Sequence, residues 1–326
     1  MIITNVILLL ISIFFLVKSS DYLVSSSSNL AKHFGVKQIT IGLTIVAFGT
    51  SIPELASAIA SAIAKNPQIA IGNVAGSNIS NLGFILGIAC LMTVISIKED
   101  VMKRDVYFLV GISFLFYLFI LNGILSRIEG FILLLTSFFY LFNLFRKKTS
   151  IESEVKSYAR IEEKKTVNSS ISKIKNILTH VITKEFYYII ISIIVLAISA
   201  RFVVHFIQNL ATETNITEGV IAVSLLSLGT TLPELTVTII SVKKNLNDIL
   251  VGNLIGSNIS NILVVAAIPS LISPIKISAR FITFIIPAML IFVLLLLVIF
   301  KLFKNVRYAG VSFLLLYLLF IILLFF

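Results

Sequence analysis

The chain has 326 residues, 58% hydrophobic and 13% charged, with a mean hydropathy of +1.08 and a formal net charge of +11. A soluble domain carries roughly 25% charged residues, so this composition excludes one and indicates a polytopic membrane protein. The single cysteine, Cys90, excludes an intramolecular disulfide and a thiolate metal site.

In chain order, apolar segments fall at 2–22, 38–64, 69–95, 104–123, 128–145, 185–209, 216–242, 248–272, 280–300 and 307–326. Each is near the ~20 residues a helix needs to cross a bilayer, which predicts ten transmembrane helices. The first lacks a basic leader and an A-x-A-like cleavage site, so it reads as a retained helix.

Two stretches of the chain repeat. Ala47-Phe48-Gly49-Thr50-Ser51-Ile52-Pro53-Glu54, followed by Gly72-Asn73-Val74-Ala75-Gly76-Ser77-Asn78-Ile79-Ser80-Asn81, returns 180 residues later. The echo is Ser227-Leu228-Gly229-Thr230-Thr231-Leu232-Pro233-Glu234, then Gly252-Asn253-Leu254-Ile255-Gly256-Ser257-Asn258-Ile259-Ser260-Asn261. Both parts keep one offset, so we read an internal duplication. The predicted divisions are a first five-helix repeat at 1–145, a basic linker at 146–184 and a second repeat at 185–326. The α-repeats proper lie at 38–95 and 216–272.

Orientation follows from the Lys/Arg distribution. With the N-terminus outside, inner segments hold twenty-one of the 26 basic residues, ten of them between Arg146 and Lys184. This predicts N-out, C-out topology with the 146–184 loop in the cytoplasm, and makes the net charge a topological signal rather than one for nucleic acid. Five spans per half is an odd number, so the second copy must enter the membrane from the other side. The predicted fold is all-α, with two inverted-topology five-helix repeats and a site at the midplane between them.

The linker mixes its ten basic residues with Glu152, Glu154, Glu162 and Glu163. From Ser169 to Lys184 its apolar residues fall at helical spacing, which leaves open an interfacial amphipathic helix or a plain linker. The sequon at Asn168 falls on the predicted inner side and is discounted.

The chemistry lies in the repeated motifs. Pro53 and Pro233 sit mid-span and should unwind or kink their helices near Gly49 and Gly229, freeing upstream carbonyls such as those of Ala47 and Ser227. Helical spacing puts Ala47, Thr50, Ser51 and Glu54 on one face, and Ser77 and Asn81 on another. The second half repeats both faces. The product is a midplane cage of carboxylate, hydroxyl, amide and carbonyl oxygens, which suits hard cations such as sodium and calcium. An acidic residue at a helix centre costs on the order of 2.5–3.5 kcal/mol on the insertion scale, so two at matched positions point to an occupied cage. One divalent ion or two monovalent ions would neutralise the pair, and those loads exclude each other. The GxxxG pairs Gly72/Gly76 and Gly252/Gly256 are read as close helix packing, and Asn73 and Asn253 as partners of nearby backbone.

These motifs resemble the two α-repeats of the sodium/calcium exchanger family, within the cation/calcium antiporter superfamily. The ten-span duplicated layout extends the likeness over nearly the whole chain. The resemblance implies alternating access, with sodium entry driving calcium extrusion, and spans 1 and 6 sliding across a rigid core. It implies that Glu54 and Glu234 are the central carboxylates and that Thr50 and Thr230 contact both ions. It assigns Ser51, Thr231, Ser77 and Ser257 to sodium sites, the carbonyls of Ala47 and Ser227 to backbone ligands, and Asn81 and Asn261 to the middle position. Calcium and sodium are then substrates, with no cofactor, and the implied surroundings are a lipid bilayer with no nucleic acid and no obligate protein partner. This sequence departs from the family where Ser227 replaces a small apolar residue, Thr231 a serine, and Asn261 the aspartate of many members. Arg201 and His205 stand where the family often has an acid, and read as interfacial snorkelling residues or as gating groups.

Three other readings compete. Proton/calcium exchangers of the same superfamily typically place a glutamate after the GN of the third and eighth spans, where this chain has Ala75, Gly76 and Ser77 and, in the second half, Ile255, Gly256 and Ser257. A calcium-binding receptor or scaffold would bind without moving the ion, and no soluble ligand domain supports it. An ATP-driven pump lacks its GxxxxGK[ST] loop.

Overall fold

The computed structural model describes residues 2–64, 68–146, 168–213, 231–302 and 307–325. Among the described residues the regular structure is helical apart from one short two-stranded ribbon. In chain order the helices are α1 (Ile2–His33), α2 (Gln38–Thr50), α3 (Ile52–Ile63) and α4 (Gln68–Met92). Next comes α5, formed by Glu99–Val101, Met102–Val106 and Tyr107–Ile120 in succession, then α6 (Arg127–Arg146) and α7 (Asn168–Glu213). The second half closes with α8 (Leu232–Lys243), α9 (Asn247–Ile272), α10 (Phe281–Leu302) and α11 (Ala309–Phe325). Among the described residues six helices are long and apolar enough to cross a membrane, and the bent pair α2–α3 makes a seventh span.

Two boundaries differ from the sequence reading. α1 runs eleven residues past the predicted end at 22. Its polar second half stays helical because Ser19, Ser20 and Ser25 donate to carbonyls four residues back, satisfying their hydroxyls inside the helix. Gly35 (φ +60°) then ends it, with Val36 N–H bonding the Ala31 carbonyl in a Schellman-type cap. The second difference is at α7, whose helix already begins at Asn168, so the backbone from there to Lys184 is helical and not a plain linker. Residues 147–167 lie outside the described set, as do 214–230 of the predicted seventh span.

Apolar packing divides into two cores. The larger joins α2–α6 with α8–α11 and is built on Ile79, Leu82, Leu109, Phe116, Leu263 and Phe292. The smaller is separate: Leu16, Leu23, Val24 and Leu30 of α1 meet Ile189, Leu196 and Val203 of α7, over Val46, Val237 and Ile249. Tyr22 and Tyr188 stack across the α1–α7 pair at 5.8 Å. The pair therefore has its own core, with the bundle beneath it.

Ion pairs identify one face of the bundle. Lys37–Asp100, Lys98–Asp248 and Lys244–Asp21 are each 2.7 Å, and all six side chains are partly exposed. Such pairs contribute about 0–1 kcal/mol each, so they mark register more than they stabilise. Lys98 follows α4, Asp248 opens α9 and Lys244 closes α8, so the C-terminal ends of α4 and α8 share this face. α3 leads directly into the 25-residue α4, about 37 Å long, and so ends at the opposite face. α3 and α8, which carry the matched glutamates, thus leave their breaks in opposite directions. At the far face, β1 (Ile124–Leu125) pairs antiparallel with β2 (Ile275–Lys276), joining the two halves by a short ribbon.

Candidate functional site

The breaks in the two repeats are built alike where both can be seen. Proline has no N–H to donate and is tolerated in a helix's first turn, so Pro53 and Pro233 sit there in α3 and α8. Just before them Ser51 (φ −83°, ψ 3°) and Thr231 (φ −88°, ψ 2°) leave helical geometry in the same way. The chain bends by 43° between α2 and α3. The bend falls at Ser51, two residues past the predicted Gly49, which stays within the helix. The Ala47 carbonyl is not freed outright, because it accepts the Ser51 N–H at 3.1 Å.

Glycine brings the repeats together. A Cβ on Gly252 would stand 2.6 Å from the Ile39 carbonyl oxygen, and one on Gly256 2.6 Å from Ala47 Cβ. Only glycine permits this approach of α9 to α2, which agrees with a packing role for the second GxxxG pair.

That approach makes a polar cluster across the repeats. The Thr50 hydroxyl is within hydrogen-bond distance of the Ala47 carbonyl (3.1 Å), Asn253 Oδ1 (3.1 Å) and Ser257 Oγ (3.2 Å). Ser257 Oγ in turn lies 3.5 Å from the Ala47 carbonyl. In the first repeat, Ser77 Oγ donates to Glu54 Oε1 at 3.4 Å, and Asn73 Nδ2 donates to the Glu54 backbone carbonyl at 3.2 Å. Glu54, Glu234, Thr50, Asn81 and Asn261 are fully buried at 0% exposure, and Ser51, Thr231, Ser77, Ser257 and Ala47 at 2% or less.

Several of these buried groups lack partners among the described residues: both carboxylate oxygens of Glu234, both amide atoms of Asn81, Asn261 Oδ1 and Ser51 Oγ. The Thr50 hydroxyl lies near the Glu234 carboxylate. An unsatisfied buried polar group costs about 1–3 kcal/mol, and a charged one more, so this concentration needs a compensating ligand. Among the described residues no three His, Cys, Asp or Glu side chains gather as a metal cluster. The available donors are two carboxylates with hydroxyl, amide and carbonyl oxygens, a set suited to hard cations.

Both repeats also develop a π-helical turn at the same place. In α4 it spans Ser80–Ile85 and in α9 Asn261–Val265, so Asn81 and Asn261 each sit at a widened backbone turn. Such turns interrupt regular bonding and are frequent at functional sites. Sequence reasoning missed the pair that locks this region. Asn78 Nδ2 donates to the Asn258 carbonyl at 3.3 Å, and Asn261 Nδ2 donates to Asn78 Oδ1 at 3.0 Å. Asn78 and Asn258 are matched repeat positions, and that symmetry was the available signal. Also unanticipated is a third buried acid, Asp105, held by Arg104 through two 2.8 Å bonds and by Tyr140 at 3.0 Å.

Of the predicted site residues, Ser227 and Thr230 lie outside the described residues. Arg201 and His205 are exposed on α7, where His205 meets Asn209 at 3.1 Å.

Comparison with known proteins gives one consistent answer. The family model for sodium/calcium exchanger protein matches twice, over residues 4–146 and 184–326. A sodium/calcium exchanger of Methanosarcina acetivorans, MaX1, is 34% identical over 100% of both chains. The inner membrane protein YrbG of Escherichia coli is 32% identical over 82% of this chain and 79% of its own. A solved structure of the sodium-calcium exchanger NCX_Mj, soaked with 10 mM Na+ and no Ca2+, matches with a TM-score of 0.82 and 27% identity, covering 98% of this chain and 99% of that one. With two family matches that together span most of its length, this chain is an ion exchanger and not an enzyme: it belongs to the sodium/calcium exchanger family.

Proposed function

We propose that the chain exchanges sodium for calcium by alternating access, at one cation cage shared by both repeats. The observation that carries this reading is the cross-repeat cluster. Two fully buried carboxylates lie within it, one of them without a partner among the described residues, amid hydroxyl and amide groups from both halves. Glu54 and Glu234 are the central carboxylates, and Thr50, Ser51, Ser77, Thr231 and Ser257 supply hydroxyls. Asn81 and Asn261 supply neutral oxygens at the middle position, with carbonyls from Ala47 and Ser227 and a further hydroxyl from Thr230. Asn261 spends its N–H on Asn78 and keeps Oδ1 without a partner among the described residues, which supports a role as a neutral oxygen donor. With two negative charges in the cage, one calcium or two sodium ions restore neutrality. Each load repels the other, and this couples their movements.

The α1–α7 pair is the moving element. Its separate apolar core suits an interface that slides over α8, to which α1 is tied among the described residues by the Ser20–Thr236 hydrogen bond (2.7 Å) and, at the exposed end, by Lys244 bonding Asp21 and Ser25. The face marked by Lys37, Lys98 and Lys244 is cytoplasmic and both termini are outside, as the basic-residue asymmetry favours. The repeats occupy 1–145 and 185–326, with 146–184 as the cytoplasmic linker.

The test is sodium-gradient-driven 45Ca uptake into proteoliposomes. Uptake should follow the outward sodium gradient and vanish when that gradient is collapsed. Uptake that followed a proton gradient instead would overturn the coupling, and calcium binding without flux would leave only a receptor.

A further inference from the structure

Helical Ser and Thr side chains in an apolar interior usually donate to a carbonyl three or four residues back, because no water is present to satisfy the hydroxyl. This chain follows that habit widely. Thr44, Ser61, Ser113, Thr236 and Ser270 all make such bonds. Thr238 and Ser241 of α8 do not. Both are buried, at 1% and 0% exposure, and neither hydroxyl has a partner among the described residues.

Their positions are not arbitrary. Glu234, Thr238 and Ser241 stand at i, i+4 and i+7, on one face of α8. The ladder starts at the carboxylate and descends towards Lys244, at the face marked by the three ion pairs. α8 packs along the turn of α4 that carries Asn81, whose amide also has no partner among the described residues. The first repeat lacks the ladder. Below Glu54 the matching positions are Ala58, which has no hydroxyl, and Ser61, whose hydroxyl is spent on the Ala58 carbonyl. The duplication therefore preserves the two glutamates and varies the face beneath them.

We propose that Thr238 and Ser241 form a hydroxyl relay that receives partly dehydrated hard cations, sodium or calcium, between Glu234 and the Lys244 face. The proposal rests on the cation-cage reading. Each hydroxyl replaces part of the ion's water shell over a stretch where the helix face would otherwise be apolar. Ser241 lies one turn from the end of α8, where Leu246 N–H closes the helix on the Ser241 carbonyl, so the relay reaches nearly to the surface.

The test is side-resolved transport by the full-length protein, in membrane vesicles of the two opposite orientations. Calcium is titrated from each face under a fixed sodium gradient. Thr238→Val and Ser241→Ala should each raise the calcium KM at the Lys244 face about 3- to 10-fold and leave the KM at the other face within twofold. Thr238→Ser, which restores a hydroxyl, should reverse most of that rise. Equilibrium calcium binding to the purified variants confirms that the cage is folded and should match wild type. A KM unchanged at both faces, or raised equally at both, would overturn the relay while leaving the cage intact. Wild-type protein that moved no calcium on a sodium gradient would instead overturn the exchange reading, and the relay with it.

Discussion

Replacing Glu234 by Gln should abolish calcium transport without weakening the fold. Both Glu234 oxygens are fully buried and lack partners among the described residues, so no hydrogen bond among those residues is broken. At an effective dielectric near 20, two unit charges about 4 Å apart interact by about 4 kcal/mol, and a divalent ion doubles this to about 8. If half of that survives the ion's desolvation, the amide forfeits about 4 kcal/mol. That is roughly a 1000-fold loss of calcium affinity, and less for sodium. The same change removes a buried charge that costs on the order of 2.5–3.5 kcal/mol in a membrane helix, so ion-free stability should hold or rise. Two measurements check this together: sodium-driven 45Ca flux, and melting temperature in detergent with and without calcium. Wild type should gain about 2.7 kcal/mol at a calcium concentration 100-fold above its Kd, and the variant almost none. A Glu234→Gln protein that carried calcium at the wild-type rate, or that melted markedly earlier without ions, would refute the reasoning and make Glu234 a structural residue.

Gly252→Ala should destabilise the protein by about 1–3 kcal/mol or block its assembly, because the added methyl meets the Ile39 carbonyl at 2.6 Å; thermal melts would show it. Tyr140→Phe removes one of three bonds to buried Asp105 and should cost about 1–2 kcal/mol in the same assay, with sodium-driven flux retained. Asp105→Ala should cost more, about 3–5 kcal/mol, since it leaves the Arg104 guanidinium without its bidentate partner.

The fold class was legible because its signals are covalent and periodic: apolar runs of membrane length, and a duplication of fixed offset. The break was legible through Pro53 but misplaced by two residues, since proline dictates where a helix can restart and not where the preceding one must stop. The Glu54 side of the cluster could be read from face periodicity, as the Ser77 contact shows. The path of the second half's hydroxyl could not. Ser257 matches Ser77, yet its hydroxyl meets Thr50 and the Ala47 carbonyl of the other repeat. That choice depends on the approach of α9 to α2 through Gly252 and Gly256, a tertiary fact with no local signature. Asp105 was hidden for a related reason. Its partner Tyr140 is 35 positions away on the next span, and an aromatic residue in an apolar run carries no sign of the hydrogen bond it makes.

The difference between Ser77 and Ser257 bears on how the exchanger works. The two serines, like Glu54 and Glu234 and like Pro53 and Pro233, are identical residues at matched positions, so local sequence does not distinguish their surroundings. Yet Ser77 bonds its own repeat's carboxylate while Ser257 turns to the opposite repeat, and Glu234 keeps both oxygens unpartnered among the described residues. A symmetric motif in an asymmetric arrangement implies that packing elsewhere selects between two nearly equivalent bonding patterns. The smaller core meets that requirement, because α1 and α7 press on Val46 before one break and on Val237 after the other. Sliding that pair along α8 would change the support beneath each glutamate in opposite senses without disturbing the larger core. The expected cost is a few apolar contacts, the Ser20–Thr236 bond at about 1 kcal/mol, and the partly exposed Lys244 contacts to Asp21 and Ser25 at about 0–1 kcal/mol, which an ion load neutralising two buried carboxylates can readily offset.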